Sequence, residues 1–193
     1  MTTILLARHG ETDWNRELRF QGRADPALNE LGRRQARELA DRLAGLGVDA
    51  VYTSPLARAR ETAEIVAERI GAPVEVDEEL SEVDVGEWQG LTRAEIEERF
   101  PEAFRRWIAH GPGWEQGETY EQMTERIGRA LDRIARRHPR GTVLVVTHGG
   151  PVRAAYVLAN GCTFEEARRS GPPVHNCGLF ELRFGEREFS RID

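Results

Sequence analysis

Thr142-Val143-Leu144-Val145-Val146-Thr147-His148-Gly149-Gly150 is an apolar run, three of its four central residues valine, that stops on a histidine and two glycines. With no polar alternation it reads as a strand buried on both faces, which fits a sheet covered by helices on either side. The flanking chain agrees. Upstream, Thr119 and Gln122 form a capping-box pattern, and Met123, Ile127, Ala130, Leu131 and Ile134 mark the apolar face of a long helix. Downstream, helices are expected at 151–159 and from Thr163, then closing strands at 177–184 and 188–192 around Gly185.

Further out the alternation continues. Residues 3–7 read as a buried strand, and Asn29 as the N-cap of a helix carrying Ala36, Leu39, Leu43 and Leu46 until Gly47. Residues 48–53 form the next strand. Ser54 and Pro55 then supply an N-cap and a first-turn proline for a helix with Ala59, Ala63, Val66 and Ile70 on one face, ended by Gly71. Residues 73–76 read as a short strand, and Thr92 with Glu95 opens a helical stretch toward His110 that Pro101 interrupts. Glycine and proline make 110–117 a loop. Strand and helix alternating in this way give an α/β protein, a three-layer sandwich whose mainly parallel central sheet is flanked by helices. Length fits one domain over 1–193, with a small helical cap over roughly 82–120.

Composition removes whole classes of function. The chain has 193 residues, 39% apolar and 31% charged, as in a folded soluble protein. All 27 basic residues are arginine, so no Walker-type phosphate loop, kinase strand lysine or Schiff-base lysine can be present. A net charge of -6 argues against nucleic acid. Cys162 and Cys177 are too few for a disulfide framework or a four-cysteine zinc site, and suit a reducing cytosol. The N-terminus shows no basic leader and no segment is long enough to span a bilayer, so the expected location is cytoplasmic, with no membrane partner. No His-Glu-x-x-His or similar ligand spacing occurs, so neither a metal nor another cofactor is expected. A homodimer stays open as the assembly.

Ligands of open α/β sheets bind beyond the carboxyl ends of strands. Two strands here end in His-Gly: the first runs into Arg8-His9-Gly10-Glu11-Thr12, and the most apolar one into His148-Gly149-Gly150. One such histidine is commonly structural; two, together with Arg8 and with Arg58 in the first turn of a helix, form a pocket for a phosphoryl group. A solvated surface residue is the alternative for Arg58. A neutral imidazole attacks phosphorus without a metal, which makes His9 the candidate nucleophile. The leaving oxygen needs a proton, and the acidic run Glu75, Asp77, Glu78, Glu79, Glu82, Asp84 and Glu87 offers several donors that spacing does not separate.

These residues resemble the histidine phosphatase superfamily, in its phosphoglycerate mutase-like phosphatase branch. The resemblance runs through residues 5–15, Gln21-Gly22, residues 28–36, residues 54–63, residues 80–90 and residues 146–150, in family order. It implies that His9 is transiently phosphorylated, that Arg8, Arg58 and His148 bind the phosphoryl oxygens, and that Glu82 is the proton donor and later the base. It places Asn15, Gln21, Gly22 and Gly149 around the phosphate or substrate. Two positions depart from the family pattern: Pro26 stands one place early, and Gln89 replaces a more usual glutamate. The compact segment around Gly117-Glu118-Thr119 is similar to the phosphatase branch rather than to the cofactor-dependent mutases, whose insertion is longer.

The expected function is therefore metal-independent hydrolysis of a small phosphorylated metabolite, with phosphoglycerate mutase activity as the alternative and a silent phospho-ligand-binding module as the third reading. Trp14, Phe20, Trp107 and Trp114 are candidates for contacting the leaving group, with core packing as the alternative for each. His110 and His138 read as surface or helix-end residues, and His175 as a residue whose loop could approach the site.

Overall fold

The computed structural model describes residues 1–111, 113–184 and 188–192, the last five as backbone. Gly185, expected at the turn between the closing strands, lies outside the described residues. Six strands form one sheet: β1 (Thr2–Arg8), β2 (Ala50–Thr53), β3 (Val74–Val76), β4 (Thr142–Thr147), β5 (Leu179–Phe184) and β6 (Glu188–Ile192), in the order β3-β2-β4-β1-β5-β6. The first four run parallel, while β5 is antiparallel to both β1 and β6. The apolar run thus occupies a central position, β4, between β1 and β2.

Alternation along the strands makes the three layers. Ile4, Leu6, Val143 and Val145 enter one core with Met123, Ile127, Ala130, Leu131 and Ile134 of α6 (Tyr120–Arg137) and Val152, Ala154 and Ala155 of α7 (Gly149–Asn160). Leu5, Ala7, Leu144 and Val146 point oppositely, onto Leu39 and Leu43 of α2 (Glu30–Leu43) and Ala59, Ala63 and Val66 of α3 (Ala57–Ile70). Each fully buried aliphatic side chain contributes roughly 1.5–3 kcal/mol relative to exposure, so both faces hold the sheet. Short elements complete the chain: α1 (Asp13–Arg16), α4 (Arg93–Arg99), α5 (Pro101–Ile108), α8 (Phe164–Ser170) and the 3-10 turns Glu78–Leu80 and Gly86–Trp88. No helix among the described residues is long and apolar enough to cross a membrane.

Several boundaries differ from the sequence expectation, each for a local reason. α2 stops at Leu43, and Leu46 is exposed, because Gly45 and Gly47 turn the chain through positive φ. Ser54 does not cap α3: the helix starts at Ala57, whose amide donates to the distant Asp25 carboxylate at 2.7 Å, and Pro55 precedes the first turn. α7 opens at Gly149 with His148 as N-cap, two residues before Pro151. β5 begins at Leu179, since Cys177 bends the chain at a φ of 51°. Pro101 divides the helical stretch as expected, at the first position of α5.

Candidate active site

Strand register brings the two histidines together. Arg8 of β1 pairs with Thr147 of β4, and the His9 amide donates to Thr147 O at 2.9 Å, so His9 and His148 leave adjacent strand ends side by side. Their ring centroids are 5.2 Å apart and both rings are buried. β2 ends one strand further on, and Ser54 lies 2.8 Å from His148 Nε2.

Each ring has a defined orientation. His9 Nδ1 lies 2.7 Å from Gly10 O. A carbonyl only accepts, so Nδ1 carries the proton and Nε2 keeps its lone pair. Burial first, then the Arg8 and Arg58 charges, hold the His9 pKa well below the usual imidazole value, so the ring is neutral at pH 7. His148 is lowered in the same way by burial, Arg58 and His9. Ser54 Oγ accepts from the Leu56 amide at 3.3 Å, and among the described residues its own proton has no acceptor but His148 Nε2, which puts the ring proton on Nδ1, a buried nitrogen without a hydrogen-bond partner among those residues.

Arg8 and Arg58 are buried against carbonyls. Arg8 donates to Val174 O at 2.9 Å, and Arg58 to Ala24 O at 2.6 Å and Gly22 O at 2.8 Å, while both Nε atoms are buried without hydrogen-bond partners among the described residues. Burial lowers the Arg58 pKa to about 10, which still leaves it charged at neutral pH. Gly22 is required here, since its φ is 51° and a Cβ would press on Val85 and Gln89. Gln89, one of the departures from the family pattern, accepts from the Ala24 amide and donates to Gly86 O. A glutamate could only accept, so this amide ties the loop whose carbonyls hold Arg58 to the 3-10 turn at Gly86.

Glu82 follows β3 and its 3-10 turn. Oε1 accepts from its neighbour Val83 at 2.9 Å and from the Gly150 amide, the second residue of α7, at 3.2 Å. A carboxylate at a helix N-terminus meets unsatisfied amides and a favourable dipole. A Cβ on Gly150 would collide with Glu82 Oε1. The Glu82 backbone is also held: buried Arg126 donates to the carbonyls of Glu79, Ser81 and Glu82 and forms a two-point pair with Glu118 at 2.5 and 2.7 Å. Glu118 is therefore a structural clamp within the Gly117-Glu118-Thr119 motif.

Arg8, His9, Asn15, Gln21, Gly22, Arg58 and Glu82 line one cavity of about 740 Å³ including its open mouth; Gly150 rather than Gly149 contributes there, and His148 lies just behind His9. Asn15 Oδ1 is engaged by Thr12 and Asn176, and Gln21 Oε1 by Thr12, which leaves their amide nitrogens as donors. Phe20, Trp107 and Trp114 line the same cavity, whereas Trp14 borders an adjacent one. His175 is exposed; its loop does reach the site, but through Val174 O and Asn176, which donates to His9 O at 2.9 Å. His138 caps α6 and lies 2.8 Å from the Tyr52 hydroxyl. Thr62, whose hydroxyl accepts from the Gly10 amide at 3.0 Å, and Asn176, Gly150, Tyr120, Arg126, Arg153 and Arg168 are not singled out from sequence, because their roles arise from contacts distant along the chain. The one readable signal was Gly150, a second glycine at a helix start.

The histidine phosphatase superfamily (branch 1) model matches residues 4–191. Over 163 residues the chain is 38% identical to Phosphoserine phosphatase 1 of Hydrogenobacter thermophilus, covering 83% of this chain and 77% of that protein. It is 40% identical over 165 residues to an Arabidopsis thaliana protein named Metal-independent phosphoserine phosphatase, covering 81% and 68%. The solved structure of Bacillus stearothermophilus YhfR superposes with a TM-score of 0.90 at 34% identity, covering 99% and 95%. With its paired histidines and arginines at the ends of β1, β4 and β2, the chain belongs to the histidine phosphatase superfamily, branch 1.

Proposed function

We propose that this histidine phosphatase hydrolyses phosphoric monoesters of small metabolites through a phosphohistidine on His9, without a metal. The observation that carries the reading is the Gly10 carbonyl on His9 Nδ1, which presents the Nε2 lone pair of a neutral ring beside two buried guanidinium groups. Nε2 forms a bond to phosphorus as the ester P–O bond breaks, and protonated Glu82 gives its proton to the leaving alkoxide. Arg8, Arg58 and His148 Nδ1–H stabilise the equatorial oxygens. Water then attacks phosphorus, Glu82 takes its proton, the P–N bond breaks, and inorganic phosphate leaves with His9 neutral again. Asn15 and Gln21 donate to the substrate, Gly22 and Gly150 keep the backbone close to it while Gly149 keeps it close to Arg8, and residues 82–120 act as the cap within one catalytic domain.

Hydrolysis is preferred to phosphoglycerate mutase activity because the segment between Glu82 and His148 is compact and the two named relatives are called phosphatases. The two free cysteines suit a cytoplasmic site of action. The test is phosphate release from a panel headed by O-phosphoserine, with chelator present, beside 3-phosphoglycerate isomerisation primed with 2,3-bisphosphoglycerate. Release without isomerisation is expected, and His9→Ala should lower it by roughly 10³-fold or more while the fold is kept. Isomerisation exceeding release would make the chain a mutase; chelator sensitivity or an active His9→Ala would remove the phosphohistidine route.

A further inference from the structure

Among the described residues five arginines line the cavity, and four have clear partners. Arg8 and Arg58 flank His9. Arg19 is neutralised by Glu17 and Glu95. Arg168 donates to the carbonyls of Trp107, His110 and Gly111 and lies over the Trp107 ring at 4.7 Å, so its fork is filled. Arg153 differs: among the described residues it donates no hydrogen bond and forms no ion pair. It is half-buried, and burial and the neighbouring Arg168 charge both lower its pKa. A desolvated cation beside a second cation is costly unless an anion joins it.

The placement indicates which anion. Arg153 follows Gly150 by three residues on α7, so it shares the face on which the Gly150 amide holds Glu82, about 4.5 Å further along the axis. Beside it stand Tyr120 and Phe164, stacked at 4.1 Å between centroids, which offer an apolar wall for a short carbon chain. Glu82 is the one carboxylate among the described lining residues, and with a phosphoryl dianion on Arg8 and Arg58 the Arg153 charge is unmatched. A single free guanidinium suits a planar monoanion bidentately, whereas a second phosphoryl group would need two free cations, as Arg8 and Arg58 supply for the first.

We propose that Arg153 binds a carboxylate of the substrate, so that the enzyme selects phosphoric monoesters whose leaving group carries a carboxylate. The assignment rests on the hydrolase reading above. Because Glu82 also feels the Arg153 charge, the test uses substrates that differ in the carboxylate alone: 3-phosphoglycerate and glycerol 3-phosphate, with p-nitrophenyl phosphate as a general reporter. The wild type should favour 3-phosphoglycerate in kcat/KM by about tenfold or more. Arg153→Gln should collapse that ratio, chiefly through KM for the acid, and Arg153→Lys, which keeps the charge but not the two-point fork, should keep only part of it. Equal loss on both esters would make Arg153 a support for Glu82 and overturn the proposal. A wild-type ratio near one would overturn it without any variant, which covers a Gln variant that does not fold. No release from any of the three substrates would overturn the hydrolase reading itself, and this one with it.

Discussion

His9 owes its reactivity to one backbone carbonyl and its neutrality to its surroundings. Gly10 O holds the ring proton on Nδ1, while burial with Arg8 and Arg58 disfavours a second proton. His148 is held neutral by the same causes. The unfolded chain binds a proton on each ring near pH 6.5 and the folded chain does not, so the unfolded state binds more protons below that pH. Stability from this source is therefore full above about pH 6.5 and falls as the pH drops, by up to about 1.4 kcal/mol per unit and ring until the folded rings titrate. Urea unfolding at pH 7.5 and 5.5 should show a smaller acid loss for His148→Asn than for the wild type, by roughly 1 kcal/mol. Identical losses would mean that the buried ring is not kept neutral by the fold.

At the scale of elements, the site depends on the start of α7 meeting the loop after β3. The Gly150 amide is one of the unsatisfied donors of a helix N-terminus, and the Glu82 carboxylate occupies it. Gly150→Ala puts a methyl group where Oε1 lies. Alanine suits a helix, so the variant should fold, while a displacement of about 1 Å at the proton donor costs on the order of 100-fold in turnover. The loss should match the pattern of Glu82→Gln, severe for alkyl phosphates and mild for p-nitrophenyl phosphate, whose leaving group needs no proton. Steady-state rates on both ester types decide it, and equal losses would remove Glu82 from the acid role.

Over the whole molecule, one buried arginine of α6, paired with Glu118 just before the helix, joins α6 to the loop that delivers Glu82. Arg126 spans Glu118 and three carbonyls at 79–82, and Trp114 Nε1 donates to Glu118 O, so the same contact reaches the aromatic cluster of Trp88, Trp107 and Tyr120. Without Arg126, the largely buried Glu118 carboxylate keeps only the exposed Arg23, 3.7 Å away, as an ion-pair partner among the described residues. Arg126→Met should lower stability by roughly 3–5 kcal/mol, and the double variant with Glu118→Leu should recover part of that loss. Thermal or denaturant unfolding of both variants measures it, and a single variant as stable as the wild type would show that the clamp carries no load.

The apolar run of β4 and the helical spacing of Met123 to Ile134 already specify a helix-covered parallel sheet, because burial on two faces leaves no polar alternation in a strand. Arg8, His9, Arg58 and His148 were legible for a related reason: chemistry at strand ends follows an apolar run immediately in the chain. Glu82 was not separable from its acidic neighbours on physical grounds, since what distinguishes it is the Gly150 amide, 68 residues away. Arg126, Arg153 and Asn176 look like any other polar residues until the sheet order β2-β4-β1 brings their elements together. Local pattern records which side chains must leave water; which polar groups then meet is decided by strand register and helix docking, and only the folded chain contains that information.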